Sequence, residues 1–176
     1  MPACNAITLA GIERDCESNM GGVRKVWVIL KSALPESAIT GSDGVILGLN
    51  PSGSSFVSFN FRKGAASMTS NLQKDDTAGS YYWETDLVMN FQRMEAAKRV
   101  AVMALTQAEC AAIVEDSNGK YWLLGKDEYL AGTAGTGETG QAKTDANQYT
   151  VTLQDSSLEL PYEITGSIIP GLNLPV

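Results

Sequence analysis

Cys110-Ala111-Ala112-Ile113-Val114-Glu115-Asp116-Ser117-Asn118-Gly119-Lys120-Tyr121-Trp122-Leu123-Leu124-Gly125 is the stretch that decides the fold. Two apolar runs, Cys110–Glu115 and Lys120–Gly125, flank Asn118-Gly119. Asn and Gly both tolerate positive φ, so this dipeptide predicts a tight β-hairpin. The same reading extends to other segments. Lys25–Leu30 is apolar and β-branched, with Gly21-Gly22 before it and Pro35 soon after. Phe56–Arg62 and Gln148–Gln154 alternate with period two, and Leu158–Ile164 reads as a further strand. Val45-Ile46-Leu47 is a short strand candidate inside a segment, 34–55, otherwise broken up by Gly and Pro and read as loop.

Residues 65–74 and 80–92 form the arms of a long hairpin, with Lys74-Asp75-Asp76-Thr77-Ala78-Gly79 as its polar tip. Both faces of this ribbon are partly polar, so it needs something to lean on. One helix is expected, over 93–108, where Ala, Met, Leu, Glu, Lys and Arg dominate and Gly and Pro are missing. Its apolar stripe is Met94, Ala97, Ala101, Ala104 and Leu105, flanked by Val100 and Ala108. Residues 131–147, rich in Gly, Thr and Ala, are expected to be a flexible loop. About nine strands and one helix predict a mainly-β fold. Two antiparallel sheets pack as a β-sandwich or barrel with one flanking helix, all in a single domain. Residues 1–22 and 166–176 are expected to be terminal arms.

Composition narrows the function. The 176 residues carry 13 Lys and Arg against 20 Asp and Glu, a formal net charge of −7. No basic run exceeds a pair such as Arg24-Lys25, whereas duplex binding draws on a basic stripe that neutralises phosphates. There is no histidine, which removes the commonest general base and metal ligand. The three cysteines, Cys4, Cys16 and Cys110, lack CxxC spacing and read as reduced fillers, although Cys4 and Cys16 would meet if the N-terminal segment folded back. The sequence shows neither a basic-then-apolar leader nor eighteen consecutive apolar residues, so synthesis in the cytoplasm is expected and a membrane partner is not.

Three motifs invite chemical readings. Gly135-Thr136-Gly137-Glu138-Thr139-Gly140 fits GxGxxG, but a dinucleotide site needs a strand before it and a helix N-terminus after it, and the flanks offer neither. Asp75, Asp76, Glu84 and Asp86 supply carboxylates of the kind hard cations favour, yet without EF-hand spacing. Asp116-Ser117-Asn118-Gly119 is explained by the hairpin. Trp27, Trp83 and Trp122 each sit among apolar strand residues and are expected in the core. In Tyr81-Tyr82-Trp83 successive side chains face opposite ways, so at least one is turned outward, toward an interface. No cofactor, metal or catalytic group is expected, and the chain reads as a structural protein rather than an enzyme.

The element order is strands, a long hairpin, a helix, then an Asn-Gly hairpin and further strands. Over about residues 22–165 it resembles the tail-tube (major tail) proteins of long-tailed bacteriophages and the related tube proteins of contractile injection systems. The segments that carry the likeness are Glu115–Gly125, Thr139-Gly140 and Asp145–Leu153. The resemblance implies a virion subunit that closes into rings, six copies each, joins its sheets into an inner β-barrel and stacks into a tube. Ring stacking would run through the long hairpin and the terminal arms. The expected interface residues are Lys74, Asp75, Asp76, Thr77, Tyr81, Tyr82 and Trp83 on the hairpin and Ile168, Ile169, Leu172 and Leu174 in the C-terminal arm. Partners would be further copies and other tail or virion proteins, with DNA only as non-specific cargo. The long Gly-rich 131–147 segment and the Cys4/Cys16 arm depart from that pattern and leave open a capsid decoration or tail-completion protein. A carbohydrate-binding β-sandwich using Tyr82 and Trp83 is the reading from another class.

Overall fold

The computed structural model describes residues 11–12, 16–172 and 174–175. Cys4, and with it any Cys4–Cys16 pairing, lies outside the described residues. Eleven strands and one α-helix follow in the order β1 (Val23–Leu30), β2 (Ile39–Ser42), β3 (Val45–Leu49), β4 (Val57–Asn60), β5 (Ala66–Asp75), β6 (Ser80–Gln92), α1 (Ala96–Gln107), β7 (Cys110–Asp116), β8 (Tyr121–Leu124), β9 (Ala131–Glu138), β10 (Gln148–Ser157) and β11 (Tyr162–Ile164). They build a seven-stranded sheet, β2-β3-β11-β8-β7-β1-β4, and a four-stranded sheet, β5-β6-β10-β9. The two sheets face each other across one core and do not close into a barrel. All pairings are antiparallel except β11 with β3.

The Asn-Gly hairpin sits at the centre of the larger sheet. β7 and β8 pair in register from Ala112↔Leu124 to Glu115↔Tyr121, with Gly119 at φ +78° in the turn. Asp116 locks that turn: its Oδ1 accepts from the amides of Asn118 and Lys120, and its Oδ2 from Trp122 Nε1. β1 lies on the other side of β7, with Val26↔Val114 and Val28↔Ala112.

The unbroken apolar runs of β1 and β7 have a physical reason, since this sheet is covered on both faces. One face presents Val26, Val28, Ala112 and Val114 to the inter-sheet core, where Leu87, Met89, Val151 and Leu153 of the smaller sheet meet them. The other presents Trp27, Ile29, Ala111 and Ile113 to a second cluster closed by Leu34, Ile46, Phe56 and Ile164. The C-terminal segment completes that cover. Ile168, Ile169, Leu172 and Leu174 pack on the cluster, and Trp27 Nε1 donates to the Pro175 carbonyl at 3.0 Å.

Several expectations are corrected. The helix starts at Ala96 rather than 93, because Arg93 adopts φ +64° and turns the chain out of β6. Its inward anchor is Leu105, with Val102 and Ala108 packed beside it, whereas Ala97 and Ala104 of the expected stripe are exposed. Leu158 and Leu160 are exposed, and only Tyr162–Ile164 of the expected 158–164 strand pairs. The segment 34–55 holds the strand β2 besides β3.

The largest correction concerns residues 131–147. The first half is not a loop but the strand β9, paired with β10 from Ala131↔Gln154 to Glu138↔Gln148. Its glycines let α1 lie close. A Cβ on Gly132 would sit 2.7 Å from Thr106 Cα and 2.8 Å from the Thr106 carbonyl oxygen. The GxGxxG match therefore belongs to a strand and the turn after it.

Candidate assembly interface

Among the described residues the four-stranded sheet differs from its partner in having one face uncovered. Period-two alternation divides its residues. Ala66, Leu87, Met89, Val151 and Leu153 point into the core. The alternate positions, including Thr69, Asn71, Glu84, Asp86, Asn90, Gln148, Thr150, Thr152, Gln154, Thr136 and Glu138, form the outer face. Cross-strand hydrogen bonds knit this polar surface. Thr150 Oγ1 meets Asn90 Oδ1 at 2.7 Å, Gln154 Nε2 donates to Asp86 Oδ1 at 2.9 Å, Gln73 Nε2 to Glu84 Oε2 at 2.7 Å, and Gln148 Nε2 to Glu138 Oε1 at 3.1 Å. Its charged groups are carboxylates, Glu84, Asp86 and Glu138; no Lys or Arg of the four strands lies on this side.

Both edges of the same sheet are open. Among the described residues β5 pairs only with β6 and β9 only with β10, so each presents unpaired backbone amides and carbonyls along eight to ten residues. Open edges of that length are templates for another strand. The neighbouring sheet's edges, β2 and β4, are only four residues each.

The hairpin β5–β6 is in register from Ala66↔Met89 to Asp75↔Ser80. β10 accompanies β6 as far as Ser157↔Trp83, so the last three pairs and the turn have no third strand beside them. Here the expected interface residues come together. Tyr81 continues the core-facing side, in line with Trp83, and is 55% exposed, as is Leu72 at 48%. Tyr82 lies on the polar outer face. At the tip Asp75 Oδ1 accepts from the amides of Thr77 and Ala78, and Lys74 pairs with Asp76 at 2.6 Å. The carboxylates once weighed as cation ligands are thus occupied with turn and cross-strand bonds. Ile168, Ile169, Leu172 and Leu174 are not brought to the hairpin; they rest on the chain's own larger sheet.

A second unpartnered surface lies on the flank. A groove of about 410 Å³ runs between α1 and the β1/β4 edge, walled by Leu30, Val57, Phe59, Ala101, Ala104 and Leu105. Leu30, Val57 and, on α1, Val100 are exposed around it.

Two ionisable side chains, buried Asp155 and half-buried Lys31, hold the loop at Gly125. Asp155 projects from β10 into the core; its Oδ2 accepts from Gly125 N at 3.0 Å, and its Oδ1 is buried with no partner among the described residues. Burial raises its pKa, partly offset by the Gly125 hydrogen bond. Lys31 Nζ ties down the same loop by donating to the Gly125 and Lys126 carbonyls at 2.7 and 2.5 Å, and burial lowers its pKa. Gly125 is required there, since it has φ +78° and a Cβ would meet the Cys110 carbonyl oxygen at 2.9 Å.

No protein-family model, curated protein or solved structure matches this chain.

The outer face was readable in the alternation of Gln148–Gln154, but β9 was not. Its one sequence signal is the small-residue run Ala131–Gly137, which is what a strand closely crossed by a helix requires.

Proposed function

We propose that this protein is a non-catalytic structural subunit that assembles side by side, through the open edges of its four-stranded sheet, into a ring whose bore is lined by the polar outer face. Stacked rings form a tail tube through which DNA passes. The observation that carries the reading is the pairing of two free edges, β5 and β9, with an outer face bearing Glu84, Asp86 and Glu138 and no cation.

The physics is direct. A β5 edge on one copy and a β9 edge on the next satisfy each other's backbone groups, and repetition closes a ring without leaving an edge. Six copies of four strands give about 24 strands; at about 4.8 Å per strand the wall is roughly 115 Å around and the bore roughly 35 Å across between backbones. Carboxylates and neutral amides on that wall repel phosphate or leave it hydrated, so a duplex slides without counterion-releasing contacts. The resemblance of element order to tail-tube proteins points the same way.

Negative-stain microscopy of the concentrated protein tests the proposal. Rings or tubes about 80–100 Å across are expected for six domains of this size around a pore. A species that stays monomeric at every concentration and ionic strength would sink it.

A further inference from the structure

β6 is thirteen residues long, so its ends are about 40 Å apart. The two ends carry different surfaces. At the Ser80 end is the hairpin tip, with Asp75, Asp76, Lys74 and the exposed ring of Tyr81. At the Gln92 end is a cleft of about 480 Å³ between the β4–β5 turn and the start of α1. Phe61 and Phe91 form its wall, their ring centroids 5.6 Å apart. Arg62, Arg93 and Lys98 line it, and Lys63 and Arg99 are the next residues along the chain. Glu95 is the one carboxylate at this cleft, and it is already bonded to Arg93 at 3.1 Å and Lys98 at 3.8 Å. Arg62, Lys63 and Arg99 make no ion pair among the described residues. The clustering is unusual in a chain with 13 cations and a net charge of −7.

We infer that the Asp75–Tyr81 tip of one copy docks in the Phe61/Phe91 cleft of another, so that copies join head to tail along β6. Both charge and shape support a second copy as the occupant. The tip offers two carboxylates against one lysine, and the cleft offers three cations, Arg62, Arg93 and Lys98, against one glutamate. Tyr81 supplies an aromatic ring where the cleft supplies two. Because the donor and acceptor surfaces are different patches at opposite ends, the contact is heterologous and propagates along an axis instead of closing a dimer. The inference rests on the tube reading and deepens it, by naming the surface that each ring presents to the next.

The test places a photoreactive benzophenone amino acid at Thr77, whose side chain is exposed in the turn. The concentrated protein is irradiated and its cross-links mapped by mass spectrometry. Cross-links between copies to residues 60–65 or 90–98 are expected. Arg62→Glu with Lys63→Glu sets like charges against the tip and should lower their yield about tenfold; adding Asp76→Lys to that chain should restore it. Raising salt from about 0.01 M to about 1 M should weaken the wild-type cross-link, a readout that needs no variant to fold. Rings with cross-links elsewhere, or cross-links indifferent to both charge and salt, would overturn the inference and leave the ring proposal standing. A protein without cross-links between copies, monomeric throughout, would overturn both.

Discussion

The two sheets share one core and are otherwise opposites. The seven-stranded sheet is covered on both faces and keeps its edges short, so its energetics are spent within the chain. The four-stranded sheet is covered on one face only, and its edges are long and unpaired. Residues in the first sheet therefore answer to stability, and under the proposed assembly outer-face residues of the second answer to neighbours. Substitutions that exchange these roles break the comparison or sharpen it.

The largest stability effect is expected in the larger sheet. Ile113 is fully buried among Trp27, Leu123 and Ile164, and Ile113→Ala should cost about 3 kcal/mol by chemical denaturation, from lost transfer energy and the cavity left behind. Next is β9, whose backbone is crowded by α1. Gly132→Val forces a side chain against the Thr106 backbone and should cost about 2 kcal/mol, moving α1 off β9. Both would lower the yield of assembled protein as well, through the fold.

Substitutions on the outer face should do the reverse. Thr150→Lys gives up the hydrogen bond to Asn90 but faces outward, and is expected to cost about 1 kcal/mol. In the assembled protein it should introduce retention of duplex DNA that fades with salt, read by co-sedimentation. Loss of folding on Thr150→Lys would mean that this face is not spare.

The smallest effect concerns Asp155. Burial raises its pKa above the unfolded value of 3.8, so the folded state resists ionisation. Its penalty is missing below the unfolded pKa, grows as pH rises toward the folded one and is complete above it. Asp155→Asn removes the titration, and its stability relative to wild type should improve from pH 4 to pH 7, measured by urea melts. A constant difference across that range would show that folding does not shift the titration of this carboxyl.

Legibility in the sequence followed the same division. Val26–Ile29 and Cys110–Val114 announce themselves because strands buried on two faces are apolar throughout, and Asn118-Gly119 fixes the turn from β7 into β8. The hairpin arms at 66–75 and 80–92 were legible from alternation and a polar tip. β9 was hidden, because its glycines answer to the closeness of α1, a tertiary demand that leaves no period in the sequence. The helix stripe was misassigned for a related reason: with Ala at 96, 97, 101, 104 and 108, small residues on every side leave Leu105 as its one strong anchor. The C-terminal apolar residues were expected to face other copies, and the structure lays them on the chain's own sheet, where Trp27 Nε1 finds the Pro175 carbonyl.

Hydrogen exchange compared between dilute and concentrated protein tests most directly which sheet is offered to neighbours. The account predicts that amides of β5 and β9 gain protection as concentration rises, while those of β2 and β4 do not. Protection gained at β2 and β4 with β5 and β9 unchanged would contradict it.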